Sequence, residues 1–381
     1  MRILQVLYYY EPYTSGLTIY AARLSREMVA RGHEVQVVCA RHDTSLPKRE
    51  IAEDGSDIIR LRVLANLDRA VLLPGLIPTI WRRLGDVDVV HLHLPMAETA
   101  LLVALCRLRR KRVVVTHHAD LVLTGSPLAR LAANFAKVSS IIGGRLANVF
   151  VTNTDARAKV SPVGRFMQQN LQVIPPPIQP HPLPRDARQA FRNERGWGDR
   201  PVIGFVGRYA SEKGLEILLQ TIPLVRMRYP EALFALAGPH TDPRTGKRRE
   251  GPWSIWLERY GYAVEELGYI SDDDLARFYA AIDVLILPSI DWTESFGMVQ
   301  IEAMQQGTPV VASDLPGVSD PVRVTGGGII VPPGDVGALA SAIAEVLSVP
   351  ERYAPDQHQL AENYSLEHVT AAWERVYEGA L

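Results

Sequence analysis

Cysteine is almost missing from this chain: 381 residues hold two, Cys39 and Cys106, each inside an apolar run and far from the other. Two isolated thiols exclude a disulfide framework and offer no metal or redox spacing, so both are expected to be core thiols in a reducing compartment. Long apolar runs are missing too. None reaches the roughly 18 residues of a spanning helix, and the first residues enter a strand without a basic and apolar leader. The expectation is a cytoplasmic, non-integral protein. There is no short-period repeat to suggest a solenoid.

What is present is apolar content of 47% and charged content of 22%, the balance of a globular protein, at a length that calls for two domains. The net charge of −1 conceals an asymmetry: residues 1–178 carry 23 Lys and Arg against 14 Asp and Glu, and the remainder 18 against 28. A basic half suits an anionic partner. Nucleic acid is not expected. An anionic membrane surface is, because Leu72-Leu73-Pro74-Gly75-Leu76-Ile77-Pro78-Thr79-Ile80-Trp81-Arg82-Arg83 sets positive charge beside apolar residues as an interfacial helix does, making the protein peripheral on the membrane's inner face.

Along the chain, residues 2–10 form an apolar opening strand, Glu11 to Leu17 a loop containing Gly16, and Thr18 to Gly32 a helix that stops at glycine. Strands near 34–40, 58–64, 87–94, 112–118, 148–153 and 171–174 follow, with helices near 74–84, 97–109 and 127–142. Residues 175–184 then hold six prolines in ten, an extended run that cannot enter a sheet and reads as a linker. After a short helix near 185–195, Pro201 to Arg208 opens a second alternation. Its strands fall near 232–237, 265–270, 284–288, 309–313 and 328–332, and its helices near 213–229, 272–282, 296–306 and 335–347. The predicted fold is α/β, two doubly wound Rossmann-like domains facing each other across a cleft, over residues 1–178 and 179–363. The last segment, 364–381, has helical spacing of Val369, Trp373, Val376 and Tyr377, and is expected to pack back on the first domain.

Two stretches of the second half carry chemistry. Gly207-Arg208-Tyr209-Ala210-Ser211-Glu212-Lys213-Gly214 follows a strand and opens a helix, where doubly wound folds place phosphates. Two cations there suit a diphosphate and the charge that grows on it as it leaves. Taken alone they read as surface charges. Pro288 to Met304 passes from a buried strand through a polar loop into a helix, with Glu294 at the junction and Glu302 one turn beyond Met298. The amides of Phe296, Gly297 and Met298, with Val299 beside them, would face an anion at that helix N-terminus. Carboxylates beside a phosphate are better employed on hydroxyls. Hydroxyls plus phosphate point to a sugar nucleotide.

These two stretches together resemble the retaining nucleotide-sugar glycosyltransferases of the GT-B type, in particular family 4 (group 1). Leu267-Gly268-Tyr269-Ile270-Ser271-Asp272, Gly307-Thr308-Pro309-Val310-Val311-Ala312 and Ile330-Val331-Pro332-Pro333-Gly334-Asp335 also look like family segments, as do Val115-Thr116-His117-His118-Ala119-Asp120 and Val173-Ile174-Pro175 in the first half. The resemblance implies transfer of a hexose from a GDP- or UDP-linked donor to a saccharide or lipid-linked acceptor. Arg208 and Lys213 would grip the diphosphate, Glu302 the ribose, and Glu294 the transferred sugar, with His118 reaching that sugar from the other domain. Gly16, Asp120, Gly207, Tyr269 and Ile270 would line the substrates. No cofactor or metal is expected.

The chain departs from the family's pattern in two places: Ser15-Gly16 stands where two glycines are usual, and Pro176-Pro177-Ile178-Gln179 where a glycine and an acid are usual. Three rivals accompany the reading. His91-x-His93 with His117-His118 and Asp120 has metal-ligand spacing for a hydrolase, although core histidines explain it as well. A sugar-nucleotide epimerase or a catalytically silent sugar-nucleotide binder would fit the same fold.

Overall fold

The computed structural model describes residues 1–67, 70–120, 127–241 and 248–380, and the chain divides into two units, Met1–Pro177 with Leu366–Leu381, and Ile178–Ser365. Unit 1 begins β1 (Arg2–Val6), α1 (Gly16–Ala30), β2 (Glu34–Arg41), β3 (Arg49–Ile51), β4 (Asp57–Arg62), β5 (Ala65–Leu67) and β6 (Ala70–Leu72). It continues α2 (Leu76–Arg83), β7 (Val89–Leu94), α3 (Thr99–Leu108), β8 (Arg112–His117), α4 (Pro127–Leu146), β9 (Val149–Thr152), α5 (Asp155–Val160) and β10 (Leu171–Val173). Its main sheet runs β10-β9-β8-β7-β1-β2-β4-β3, parallel except where β3 meets β4. Strand side chains alternate between two apolar cores: Leu4, Val38 and Leu92 pack with α2 and α3, while Ile3, Val37 and Val114 pack on the other face with α1.

Unit 2 holds α6 (Ala187–Arg195), β11 (Val202–Val206), α7 (Leu215–Gln220), α8 (Ile222–Arg228), β12 (Leu233–Ala237), α9 (Ser254–Tyr260), β13 (Val264–Gly268), α10 (Asp272–Ala281) and β14 (Val284–Leu287). Then come α11 (Met298–Gln305), β15 (Val310–Ser313), α12 (Asp320–Thr325), β16 (Gly328–Val331), α13 (Val336–Ser348) and α14 (Gln357–Tyr364). Its sheet is parallel with order β13-β12-β11-β14-β15-β16. The order reverses direction at β11 and β14, as it does at β1 and β7 in unit 1. In doubly wound sheets ligands bind beyond the strand ends at such switch points.

Three expectations are revised. The single helix over 213–229 is two, because Pro223 in α8 has no amide to continue the ladder and Thr221 turns its hydroxyl back to the Leu218 carbonyl, at 2.6 Å. The C-terminal helix starts two residues later than 364, because Ser365 is extended, and as α15 (Leu366–Glu378) it belongs to unit 1. There Val369, Trp373, Val376 and Tyr377 are buried among Ile3, Tyr20 and Val114. Third, the segment 72–83 turns most of its apolar side inward: Leu73, Leu76 and Ile80 are buried in the core, Trp81 lies under the Arg109 guanidinium at 3.9 Å, and Leu72 alone of its large aliphatic side chains is exposed.

Candidate functional site

In unit 2 the loops after β11 and β14 are neighbours because those strands are neighbours. Gly214 makes the approach possible: its φ is +67°, and a Cβ there would lie 1.8 Å from the Pro288 carbonyl oxygen. Ile290 N donates to Glu212 O at 3.2 Å, a second tie between the loops. Lys213 is thereby set against Glu294, its Nζ donating to Oε2, with side chains 25% and 11% exposed. Ser289 Oγ lies 3.5 Å from the same carboxylate oxygen. Arg208 stands at the start of this loop, its Nη2 3.2 Å from Glu212 Oε1, and is more exposed. One loop therefore presents a cation held by a buried acid and a second, looser cation.

Helix α11 begins just beyond Glu294. Its N-cap, Gly297, has φ +77°, and a Cβ there would meet Leu287 Cδ2 at 2.4 Å. Gln300, fully buried, organises this turn by donating from Nε2 to the carbonyls of Phe296 at 2.8 Å and Val318 at 3.0 Å. The first amides of a helix have no partner within it, so those at Phe296 to Val299 stand where an anion could be held at the helix's positive end. The Phe296 ring is buried against Tyr364, so that residue contributes backbone only. Glu302, one turn into α11, accepts from Tyr279 OH at 2.9 Å. The Tyr279 backbone carbonyl in turn accepts from Thr308 Oγ1 at 2.6 Å. Tyr269 after β13 is exposed, whereas Ile270 packs partly on the core.

In unit 1 the strand ends carry a stack of histidines. His91 and His93 lie ring on ring at 4.0 Å, and His93 and His118 at 5.2 Å. His93 Nε2 meets Gln5 Oε1 at 3.0 Å and its Nδ1 meets His118 Nε2 at 2.9 Å. With Gln5 accepting, His93 must carry its proton on Nε2 and accept at Nδ1, so His118 donates from Nε2 and presents Nδ1 as an acceptor. Burial pushes the His118 imidazole down to about 3, with the neighbouring His117 adding to the effect, and holds His91 and His93 well below their ordinary range. His91 spends both nitrogens, on Tyr377 OH at 2.8 Å and Thr116 Oγ1 at 2.7 Å. His91 and His93 are thus core histidines with their nitrogens occupied, and among the described residues no group of three His, Cys, Asp or Glu could hold a metal ion.

Asp120 turns one oxygen to Arg157 at 2.9 Å and the other to Ser161 at 3.0 Å. Burial raises its carboxyl, but His117, Arg157 and Ser161 outweigh that and hold it below the usual range. Its carboxylate anchors α5. Gly16 is exposed at the first turn of α1, and the preceding Ser15 is a helix cap: its Oγ accepts from Thr18 N at 3.2 Å while Thr18 Oγ1 accepts from Ser15 N at 2.8 Å. A serine in place of glycine thus satisfies an amide at the α1 N-terminus. Gln300, Tyr279, Ser289 and Gln5 are supporting residues to which the sequence assigned no role, and His93, which had metal-ligand spacing, supports His118 instead. Nothing in the sequence pointed to Gln300, because its burial shows only in the fold.

Known families match both units. Glycosyl transferases group 1 match residues 200–349 and Glycosyltransferase Family 4 matches residues 14–181. The phosphatidyl-myo-inositol mannosyltransferase of Mycobacterium leprae is 28% identical over 99% of this chain and 96% of its own. The sucrose-phosphate synthase from Thermosynechococcus elongatus superposes with a TM-score of 0.76 at 21% identity, over 100% of this chain and 98% of its own. Anabaena Alr3699/HepE in complex with UDP-glucose gives 0.75 at 18%, over 100% and 99%.

Proposed function

Since the chain belongs to the group 1, family 4 glycosyltransferases of the GT-B fold, we propose that it moves a hexose of mannose or glucose type from a GDP- or UDP-linked donor to a lipid-linked or saccharide acceptor, with retention and without a divalent metal. The observation that carries this reading is the Lys213 and Glu294 pair, set beside Arg208 and the N-terminus of α11 at the switch point of unit 2. Two cations and a helix dipole match a diphosphate, and Glu294 and Glu302 supply acceptors for sugar and ribose hydroxyls. The names of the relatives agree with these classes: one acts on phosphatidyl-myo-inositol as a mannosyltransferase, and the Anabaena structure holds UDP-glucose.

In the proposed reaction the bond from the anomeric carbon to the diphosphate oxygen breaks as Arg208, Lys213 and the α11 amides take up the charge of the leaving group. The acceptor oxygen bonds to the same face of the oxocarbenium-like sugar, and its proton passes to the departing phosphate. Charge that a metal would neutralise falls to the two side-chain cations. His118 contacts the transferred sugar as a neutral imidazole, and the enzyme works peripherally at the cytoplasmic face of a membrane. Thermal unfolding with a panel of UDP-, GDP- and ADP-sugars tests the donor class, since a ligand of the native state raises Tm. Stabilisation by one base with EDTA present supports it, and no response to any sugar nucleotide would refute it. Tight binding with no turnover on lipid or saccharide acceptors would favour a silent binder, and an epimerised donor an epimerase.

A further inference from the structure

Helix α4 is built inside out for a water-facing helix. Ala136, Ser139, Ser140, Gly143 and Gly144 face inward. They are small because α3 starts against them: Ser139 Oγ accepts from Ala100 N at 3.0 Å, and a Cβ on Gly143 would lie 2.7 Å from Thr99 Cγ2 and 3.0 Å from its carbonyl carbon. The large apolar residues point outward. Leu131, Phe135, Val138, Ile142 and Leu146 repeat at spacings of three and four along one face, and each is exposed, from 47% for Ile142 to 65% for Leu131. Phe166 lies beyond the helix end, with the guanidinium carbons of Arg145 at 5.3 Å and Arg165 at 5.0 Å from its ring. Scattered exposed apolar residues are ordinary, but a continuous row marks an interaction surface.

Charge decides what covers it. Residues 127–147 carry three cations, Arg130, Lys137 and Arg145, and no acid, and Arg165 adds a fourth beside Phe166. A second copy would set these cations against one another, an unfavourable self-pairing for a two-fold interface. An anionic bilayer offers apolar depth and negative charge together. Among the described residues no helix is long and apolar enough to cross a membrane.

We infer that α4 lies in the plane of an anionic lipid bilayer, with the row from Leu131 to Leu146 immersed and Lys137, Arg145 and Arg165 at the headgroups. The inference rests on the peripheral reading above and relocates it from residues 72–83, most of whose apolar side is in the core.

Flotation of the full chain with phosphatidylcholine vesicles, with and without phosphatidylglycerol, tests it against the double variant Phe135→Ser and Ile142→Ser and the double variant Lys137→Glu and Arg145→Glu. All four positions are exposed, and thermal stabilisation by a sugar nucleotide reports that each variant is folded. The wild type is expected to float with the anionic vesicles, and each double variant to lose partitioning by about tenfold or more. Wild-type flotation that both variants share would remove α4 as the surface while leaving peripheral association intact. Failure of the wild type on every vesicle would remove both, and flotation indifferent to lipid charge would remove the anionic partner. A dimer that the serine variant dissociates, with no lipid binding, would assign the row to a second copy and overturn the inference.

Discussion

At the residue scale, Lys213 and Arg208 differ in how they are held, and their substitutions should differ accordingly. Alanine at either removes one preorganised charge from the proposed leaving-group site, so kcat should fall by about two orders of magnitude, measured at saturating donor. Lys213→Ala also strips the mostly buried Glu294 of its cation, whereas Arg208 pairs with Glu212 in a more exposed setting where an ion pair contributes little. Lys213→Ala should therefore lower the Tm of unit 2 and Arg208→Ala should not; near-normal turnover in both variants would end the assignment. The residue types were legible in the sequence, since a Gly-bounded loop with two cations and a strand–loop–helix with two acids each point to a ligand. Their pairing was not, because Lys213 and Glu294 are 81 residues apart and meet only through the strand order β11-β14. Gln300 was illegible for a different reason: a glutamine in a helix reads as surface until its burial is known.

At the element scale, long periodic segments were readable and short ones were not. The inner strands β1, β7, β8, β11, β12, β14 and β15 follow the apolar runs of the sequence, because parallel strands buried on both faces are largely apolar, whereas the edge strand β13 reads Val-Glu-Glu-Leu-Gly and is only partly buried. β3, β5 and β6, three residues each, carry no such signal. α15 combines both cases. Its apolar spacing was plain, but its contact with His91 through Trp373, at 4.8 Å between rings, and Tyr377 depends on tertiary packing. Trp373→Ala should destabilise unit 1 by about 3–5 kcal/mol. Chemical denaturation followed by hydrogen exchange in β7 and β8 measures it, and an unchanged protection would show that α15 is not part of that core. The outward apolar row of α4 reads in sequence as an ordinary amphipathic pattern. Only the inward contact of Gly143 with Thr99 shows which face is which.

At the scale of the whole molecule, the two units should respond differently to acid. His91, His93 and His118 are neutral in the folded state because burial depresses their pKa values, while the unfolded chain titrates at the ordinary 6.5. Below about pH 6.5 the unfolded state therefore binds more protons than the folded one, and stability is lost as pH falls. Their contribution is fully present above that pH and, for His118, drains away toward about 3. Exchange protection in β7 and β8, corrected for intrinsic rates, should drop more between pH 7 and pH 5 than protection in β14 and β15 of unit 2. Equal losses would mean that the stack does not govern acid stability.

The two sheets with their switch points, and the family match over both halves, make the chain a glycosyltransferase; the stereochemistry of transfer is the claim that ties its residues to a mechanism. The most direct test is NMR of the sugar first released or transferred from an α-linked nucleotide-diphosphate hexose, with EDTA present and before mutarotation. An α product, formed about a hundredfold more slowly by Arg208→Ala and by Lys213→Ala, is the predicted result. A β product, or activity that EDTA abolishes and a divalent metal restores, would contradict it.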